Sequence, residues 1–396
     1  MSPRILILSP FFFPEPISTG RYNTHLAEYL RDAGSAVTVA CSHPVYPDWV
    51  VRRTDRDLPS VKAYRGGTLV RYPPSTLARR MVLELWFTWH AMRVVLAVRR
   101  EVDWVVAVFP PSLFLSAAMG LAPRGVRALG IVHDLQGAYA ARLDSRVGRW
   151  IRAAVLYVER RAFRRCEQLV FLSEAMRERA IREYGLPAGR CTVAYPPATV
   201  IDALDTPVPA PLLATGVAHV VYSGALGSKQ DPNGLVEMMA QLAKLRPDVR
   251  CHIFSRGPVF DRLRLSHRAG GPVEFHDLVE EEELAGMYRH SAVQIISEER
   301  GASQGSLPSK LSNILWMGVP VFCITDADSE LSRLVSDSGL GTVDSTFHVP
   351  RQVRALEDLL DRSGSWDREG GKQAARERLG DRFSFKRILR VMGATT

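Results

Sequence analysis

The 396-residue sequence predicts an α/β protein made of two doubly wound domains. Short apolar runs alternate with longer segments of helical periodicity, which is the pattern of a parallel sheet covered by helices on both faces. The pattern starts again after Tyr195-Pro196-Pro197. The chain is also longer than one hydrophobic core usually supports, and its 46% hydrophobic and 23% charged residues are ordinary for a globular protein.

The apolar runs predict strands in both halves of the chain. Six lie in the first half, at 4–8, 36–41, 69–72, 104–108, 128–132 and 168–172. Five lie in the second half, at 218–223, 250–255, 273–275, 292–296 and 319–324. A Pro-rich connector from Pro207 to Pro211 separates the halves. We therefore predict an N-terminal domain over 1–200, a C-terminal domain over 201–375, and a helical tail over 376–396 that can pack back on the first domain.

Each domain opens with a strand, a loop and an amphipathic helix. In the first domain the loop spans 14–20 and the helix ends at Gly34, a residue suited to a left-handed cap. In the second domain the loop spans 224–230, and Asp231-Pro232 is a strong helix-start signal. Ligands of open α/β sheets bind beyond the carboxyl ends of the strands, so both loops are expected to face a central cleft between the domains.

Charge and cysteine usage limit the setting and the partners. Residues 1–200 contain 28 Lys and Arg against 16 Asp and Glu, net +12, whereas the remainder is net −3. A basic first half can meet nucleic acid, anionic lipid or a phosphorylated substrate, or it can be a solvated Arg-rich face. The five cysteines show no metal or redox spacing, and the N-terminus shows no signal-peptide layout. A reducing, cytoplasmic setting is expected.

The stretch from Met81 to Val98 is rich in Leu, Val, Trp and Phe. It contains Glu84, His90 and Arg93, so it does not read as a membrane-spanning helix. Its helical periodicity and flanking basic residues fit two alternatives, a helix packed inside the domain or a helix lying on a membrane surface. We expect peripheral membrane contact only under the second alternative.

Three loops in the second half carry cations where a phosphate can bind. The segment Tyr222 to Lys229 has small residues, including Gly224, then a cation, then a helix start. The segment Ser306 to Leu311 places Ser309 and Lys310 in the first turn of a predicted helix, where a cation opposes the helix dipole unless an anion lies between them. The segment 255–258 adds Arg256. Each also fits a plain turn with a solvated side chain.

These segments resemble the donor-site motifs of the family 4 retaining glycosyltransferases, most closely those of bacterial exopolysaccharide and colanic acid enzymes. The resemblance extends over roughly residues 4–325, and the motifs of the second half are the more specific. The matching segments are Tyr222-Ser223-Gly224-Ala225-Leu226-Gly227-Ser228-Lys229-Gln230, Leu307-Pro308-Ser309-Lys310-Leu311-Ser312-Asn313-Ile314-Leu315, Gly318-Val319-Pro320-Val321, the opening 10–16, His133-Asp134 and 173–176.

The resemblance implies a GT-B fold, in which two Rossmann-like domains face each other, and a nucleotide-sugar donor on the C-terminal domain. It implies an acceptor on the N-terminal domain, with Gly20 and Arg21 lining that side, and no cofactor or required metal. His133, Lys229 and Arg256 would be catalytic, His133 through the donor sugar and the two cations through the leaving diphosphate. Alternatively, His133 is a strand-end residue satisfied by backbone. The donor-binding residues implied are Gly224, Lys229, Arg256, Ser309, Lys310 and Asn313.

The sequence departs from the family at one pair of positions. Many members carry two Glu residues eight positions apart, and Gly305 and Asn313 stand in those places here. The donor sugar is therefore open. Glu298 and Glu299 lie just upstream, either as a substitute carboxylate or as an exposed acidic loop.

We expect a hexose or deoxyhexose to move, with retention, from a UDP or GDP sugar to a hydroxyl of a growing glycan in polysaccharide biosynthesis. The acceptor is a polyprenyl-diphosphate-linked glycan at the inner face of the plasma membrane, or a soluble small molecule. Two other classes share the two-domain plan, a UDP-sugar epimerase and a non-catalytic binding protein. Nucleic-acid binding lacks any recognition motif and is not expected.

Overall fold

The computed structural model describes residues 3–46, 48–136, 146–200, 213, 216–267, 270–302, 307–364 and 366–393. The chain forms two compact units. The first unit is Met1–Tyr195 together with Ser384–Thr396, and the second is Pro196–Phe383. The second unit therefore starts five residues before the predicted boundary and extends beyond the predicted 375 to Phe383. The Pro-rich connector, 207–211, lies outside the described residues.

The first unit contains a seven-stranded parallel sheet. Its strand order is β3-β2-β1-β4-β5-β6-β7, so the direction of winding reverses between β1 and β4. Among the described residues, five helices of the first unit lie between these strands. The strands are β1 (Arg4–Leu8), β2 (Ala36–Ser42), β3 (Lys62–Gly66), β4 (Trp104–Phe109), β5 (Arg127–Val132), β6 (Gln168–Phe171) and β7 (Cys191–Val193). The helices are α1 (Ser18–Asp32), α2 (Thr76–Val98), α3 (Leu113–Leu121), α4 (Arg146–Phe163) and α5 (Glu174–Tyr184), with a 3-10 turn at Ala188–Arg190.

The second unit contains a six-stranded parallel sheet in the order β10-β9-β8-β11-β12-β13. Its reversal point lies between β8 and β11. The strands are β8 (Ala218–Ser223), β9 (Val249–Phe254), β10 (Val273–His276), β11 (Val293–Ser297), β12 (Val321–Ile324) and β13 (Gly341–Asp344). The helices are α6 (Pro232–Leu245), α7 (Pro258–Ser266), α8 (Leu284–His290), α9 (Lys310–Trp316), α10 (Glu330–Ser338), α11 (Val349–Ser363) and α12 (Arg368–Leu379). Three 3-10 turns lie at Ser228–Gln230, Glu281–Glu283 and Gly380–Phe383.

The α/β class and the two doubly wound sheets are confirmed. Most predicted strands lie within a residue or two of the observed ones, because a parallel strand buried on both faces is a continuous apolar run. The predicted strand at 69–72 is wrong. Leu69 is 87% exposed and lies in a turn, and the edge strand is Lys62–Gly66, whose residues are mostly half-buried and polar. The short strands β7 and β13 were not predicted.

The C-terminal segment returns to the first unit. Helix α13 (Lys386–Val391) belongs to that unit, and Phe385, Ile388, Leu389 and Met392 join its core cluster. The Phe385 ring packs edge-on against Tyr22, with the ring centroids 5.1 Å apart. The predicted tail started at 376, but α12 and the turn at 380–383 remain with the second unit. The crossing point is thus Ser384.

The two helix signals predicted from sequence have the expected local structure. Gly34 follows α1 with a φ of +87°, which a glycine adopts without strain. Asp231 is the N-cap of α6, where its Oδ1 accepts a hydrogen bond from the Gly234 N–H at 3.2 Å and Pro232 is the first helical residue. All five cysteines are free and buried.

Helix α2 is apolar on both its buried and its exposed sides. Leu83, Phe87 and Val94 are buried in the first unit. Leu85 is 61% exposed and Trp89 is 59% exposed. Further large apolar side chains on the exposed side are Leu77, Met81 and Leu96. Among the described residues, only the helix Leu77–Val98 is long and apolar enough to cross a membrane, a test that a core helix also passes, and 39% of its most apolar window is buried.

Candidate active site

The reversal point of the second sheet brings together the loops that follow β8 and β11. Gly224 follows β8 with a φ of +130°, a backbone conformation that residues other than glycine adopt only with strain. No atom lies within 4 Å of a Cβ built at this position. Its N–H donates to the Phe254 carbonyl at 3.0 Å. The loop then passes through a 3-10 turn that contains Lys229, whose side chain is exposed. Backbone conformation, rather than crowding, therefore requires this glycine.

Two hydrogen bonds join the β8 loop to the β11 loop. The Glu299 N–H donates to the Lys229 carbonyl at 2.7 Å, and the Ser297 hydroxyl donates to the Gln230 carbonyl at 2.8 Å. Glu298 is half-buried and accepts a hydrogen bond from the Thr325 hydroxyl at 2.6 Å. Burial raises the pKa of Glu298, while Thr325 and the positive charge of Lys229 act in the opposite direction. The interpretation of residues 298–299 as an exposed acidic loop is therefore wrong for Glu298.

Lys310 occupies the reversal point itself. Its ammonium donates to the Ser223 carbonyl at the end of β8, at 3.1 Å, and to the Ile295 carbonyl of β11, at 2.9 Å. It lies 3.8 Å from the centroid of the Tyr222 ring. Burial lowers the pKa of Lys310 to about 7. Neither a solvated side chain nor a diphosphate partner, the two alternatives considered from sequence, accounts for these contacts.

Asn313 and Ser309 lie on and beside α9. The Asn313 side-chain oxygen accepts hydrogen bonds from the N–H groups of Thr199, at 2.8 Å, and Val200, at 3.3 Å. Asn313 therefore anchors the segment at 199–200 within the second unit, a contact that the sequence did not predict. Ser309 is the N-cap residue of α9 and makes no side-chain capping bond. Gly305, the other position of the family's Glu pair, lies outside the described residues.

Arg256 follows β9, the neighbour of β8. It is exposed and precedes Gly257, whose φ is +108°, before α7 begins at Pro258. Because β8 and β9 are parallel neighbours, Lys229 and Arg256 both follow strands at the same edge of the sheet. Ser255 is fully buried beside Arg256, and its hydroxyl has no hydrogen-bond partner within the described part of the chain. This edge therefore brings together the basic residues Lys229, Arg256 and Lys310.

His133 follows the carboxyl end of β5 in the first unit. Its N–H donates to the Phe109 carbonyl at 2.9 Å, and its ring packs edge-on against Tyr22 with centroids 4.5 Å apart. Burial lowers the pKa of His133 to about 3, so the imidazole is neutral at physiological pH. Its Nε2 is buried and has no hydrogen-bond partner among the described residues. The alternative considered from sequence was that backbone groups satisfy the hydrogen-bonding atoms of His133. Among the described residues, they do not do so for Nε2.

Gly20 and Arg21 lie in the first turn of α1. A Cβ at Gly20 would come within 2.7 Å of the Glu15 carbonyl oxygen, so packing against the 14–16 loop already requires glycine there. Glu15 is buried, and its carboxylate accepts hydrogen bonds from the N–H groups of Val45, at 2.7 Å, and Tyr46, at 3.1 Å. The structure therefore gives Gly20 a packing role that needs no ligand.

Sequence reasoning missed the role of Glu84 on α2. Its carboxylate accepts hydrogen bonds from the N–H groups of Ser112, at 3.0 Å, and Leu113, at 2.9 Å, where α3 begins. The Gln136 side chain donates to it as well, at 3.3 Å. Burial raises the pKa of Glu84. The only sequence signal was a carboxylate inside an apolar helix, which indicates a specific partner without naming it.

Comparison with known proteins identifies the kind of enzyme to which these sites belong. Residues 19–200 match the family model described as Glycosyltransferase Family 4. A protein of Escherichia coli (strain K12) named as a colanic acid biosynthesis glycosyl transferase, WcaI, is 25% identical over 357 residues, 84% of this chain and 85% of that protein.

Solved structures share the fold along nearly the whole chain. WaaG, described as a glycosyltransferase involved in lipopolysaccharide biosynthesis, matches with a TM-score of 0.68 and 14% identity, over 99% of this chain and 100% of that chain. A structure from Listeria monocytogenes named as a UDP-N-acetylglucosamine 2-epimerase matches with a TM-score of 0.58 and 15% identity, over 99% and 96%. At these identities the likeness concerns the fold alone.

The fold and the family match define a glycosyltransferase of the GT-B class. The match to Glycosyltransferase Family 4 covers residues 19–200, and this is the family that the sequence motifs indicated.

Proposed function

We propose that this enzyme transfers a hexose or deoxyhexose, with retention, from a UDP or GDP sugar to a hydroxyl of a growing glycan in bacterial polysaccharide biosynthesis. The observation that carries the proposal is the group of side chains at the reversal point of the second sheet, where Lys229 lies beside Glu298 and Lys310 joins β8 to β11. The reversal point of a doubly wound sheet is where such sheets bind nucleotides. The printed names of WcaI and WaaG support a polysaccharide product.

The chemistry asked of this edge is stabilisation of a leaving nucleoside diphosphate. Negative charge develops on the diphosphate as the sugar departs. Preorganised cations therefore stabilise the transition state more than they stabilise the bound substrate. Lys229 and Arg256 are exposed at the same edge, and Gly224 lets the backbone approach a phosphate. These residues supply the required charge, so we propose no cofactor. Ser309, Lys310 and Asn313 remain predicted donor contacts. The side chains of Lys310 and Asn313 also have protein partners.

His133 is proposed to orient a sugar hydroxyl. The His133 imidazole is neutral, and its Nε2 has no partner among the described residues, so it can accept or donate one hydrogen bond; with a pKa near 3 it does not act as a cation. The first unit is proposed to bind the acceptor. Gly20 and Arg21 stay predicted acceptor-side residues.

The acceptor is proposed to be linked to a polyprenyl diphosphate in the membrane. Helix α2 exposes a row of large apolar side chains four residues apart, Leu77, Met81, Leu85 and Trp89. Arg79 and Arg80 lie between Leu77 and Met81 in the sequence, and Arg99 and Arg100 follow the helix, so the surface offers apolar anchors beside positive charge. Contiguous exposed apolar surface is unfavourable in water and commonly marks a binding surface. An anionic membrane surface would match both the apolar row and the positive charge beside it. We therefore propose that the enzyme works at the cytoplasmic face of the plasma membrane.

The Lys229→Ala variant tests the donor site. We expect kcat to fall by about 100-fold or more while the circular dichroism spectrum stays unchanged, because loss of one charge-stabilising group costs this much in comparable sites. Lys244→Ala is the matched control, since Lys244 is an exposed lysine on α6 of the same unit. Near-normal turnover by Lys229→Ala would remove Lys229 from the site.

A product assay separates the reaction from its rivals. The enzyme is incubated with labelled UDP and GDP sugars together with membrane lipid extract, with soluble hydroxyl acceptors, or with neither. A new glycoside that needs the extract supports the lipid-linked acceptor, and its anomeric configuration tests retention. A glycoside formed only with soluble acceptors, an isomerised donor, or no product would favour secondary metabolism, an epimerase or a binding protein, respectively.

A further inference from the structure

A group of polar side chains lies on the second sheet, on strands β8, β9 and β10. It consists of His219, His252, Glu274 and His276. Glu274 is the direct neighbour of His252 in the strand register, and His276 follows two residues later on the same face. The adjacent residues of these strands, such as Cys251 and Val273, point to the opposite face and belong to the core cluster of the unit. The group thus occupies one face of the sheet near its β10 edge.

Three of these side chains form a compact triangle of possible ligand atoms. The His252 Nδ1 lies 3.1 Å from the His276 Nε2 and 3.6 Å from the Glu274 Oε2, and the last two atoms are 3.7 Å apart. Three ligands of a tetrahedral zinc ion at about 2.1 Å are ~3.4 Å from one another. An octahedral ion at the same bond length would need ~3.0 Å. The observed triangle therefore fits a tetrahedral ion better.

His219 supplies the support that a metal-binding histidine normally has. The His219 Nδ1 lies 2.9 Å from the His252 Nε2. If His252 donates this hydrogen bond, its Nδ1 carries the lone pair that faces His276 and Glu274. Ligating histidines commonly have their second ring nitrogen engaged in this way, which fixes the tautomer and the ring orientation. His252 is 1% exposed, and its ring lies between those of His219 and His276, so it is preorganised.

We propose that His252 Nδ1, His276 Nε2 and Glu274 Oε2 bind one Zn²⁺ ion, with water in the fourth position. The Glu274 side chain is 35% exposed, so the ion reaches the site from solvent on that side. Arg264 contributes positive charge near His276, but it is paired with Asp277 at 2.9 Å. The ion would tie the edge strand β10 to β9. It has no part in the proposed sugar transfer, and the inference does not depend on that proposal.

A hydrogen-bonded arrangement without metal would also account for the positions of these side chains. The His276 Nε2–H can donate to the His252 Nδ1, and the three imidazoles then form a hydrogen-bonded row without an ion. The two arrangements differ in what they predict for added metal. Only the metal site needs the Glu274 carboxylate as a ligand.

The test is a Zn²⁺ titration of the full chain after removal of metal with a chelator. We expect one equivalent to bind and the Tm to rise, and we expect Co²⁺ to give the visible absorption of a tetrahedral complex. Glu274→Gln and His276→Gln should each weaken binding by about 100-fold or more, because each removes a ligand. His267→Gln should bind as wild type does, since His267 is a half-buried histidine of the same unit that contacts Phe275 and the Leu263 carbonyl.

The result that overturns the inference is absence of stoichiometric binding, or binding that survives both Glu274→Gln and His276→Gln. Either result leaves the hydrogen-bonded row of imidazoles as the explanation. If His276→Gln fails to fold, Glu274→Gln decides alone, because its side chain is part-exposed and the amide keeps its shape. Folding of each variant is checked by circular dichroism before the titration.

Discussion

Lys310 illustrates what burial does to a single charged residue. Its ammonium has two carbonyl partners and an aromatic ring but no carboxylate among these contacts, so little compensates for the loss of water. The pKa near 7 follows from that imbalance. Lys310 is thus a group whose charge changes within the physiological range of pH, at the point of the sheet where a diphosphate is proposed to bind.

We predict that affinity for UDP or GDP falls as pH rises through about 7, because deprotonation removes a positive charge near the anion. Lys310→Met should lose this component of the pH dependence, while Lys244→Met should keep it. Calorimetric titrations between about pH 6 and pH 9 measure the difference. Equal pH profiles for wild type and Lys310→Met would show that Lys310 does not sense the nucleotide.

The same residue makes a second, independent prediction about stability. The folded pKa lies below the ordinary 10.5, so between about pH 7 and 10.5 the unfolded chain binds the extra proton. The free energy of unfolding contributed by this group therefore increases with pH across that window. Urea unfolding at several pH values should show a smaller increase for Lys310→Met.

Helix α2 carries three functions within one element. Its buried face packs in the core, Glu84 holds the start of α3, and its exposed face presents the apolar row. The buried face fits the interpretation as an internal helix. The interpretation as a membrane-surface helix concerns the exposed face and stays a prediction. Glu84 also explains why a carboxylate is tolerated in so apolar a segment, since its oxygens accept backbone hydrogen bonds.

We predict that Leu85→Glu or Trp89→Glu weakens binding to anionic lipid vesicles by about 10- to 100-fold, because each removes roughly 1.5–3 kcal/mol of apolar burial in the lipid. Leu265→Glu is the control, because Leu265 is an isolated apolar residue that is 88% exposed on the second unit. Vesicle co-sedimentation at low and high salt separates the apolar contribution to binding from the electrostatic one. Binding that is unchanged in the α2 variants would assign membrane contact, if any, to another surface.

On the scale of the whole molecule, the first unit is discontinuous in sequence. The chain leaves it at Tyr195 and returns at Ser384, and the last helix completes its core. Phe385 contacts both Tyr22 and Tyr29, at centroid distances of 5.1 and 5.6 Å. A core built from both ends of the chain makes the stability of the first unit depend on residues nearly 200 positions away from the rest of it.

We predict that Phe385→Ala destabilises the first unit by about 3–5 kcal/mol, the usual cost of removing a buried aromatic ring. Urea unfolding followed by the fluorescence of tryptophans in the first unit, such as the buried Trp104, should shift to lower urea. Arg390→Ala, an exposed change on the same helix, should have little effect. Coincident unfolding of the two variants would mean that the C-terminal segment contributes no stability.

The sequence by itself determined the α/β class, most strand positions and the helix starts and stops, because these depend on local periodicity and capping chemistry. It also placed the cations of the second unit on loops at strand ends. Only the tertiary structure decided their partners. The carbonyls that hold Lys310, the bond between Glu299 and Lys229, and the triangle of His252, Glu274 and His276 all join strands or loops far apart in sequence. Strand order brings them together, and strand order is not encoded in any local pattern.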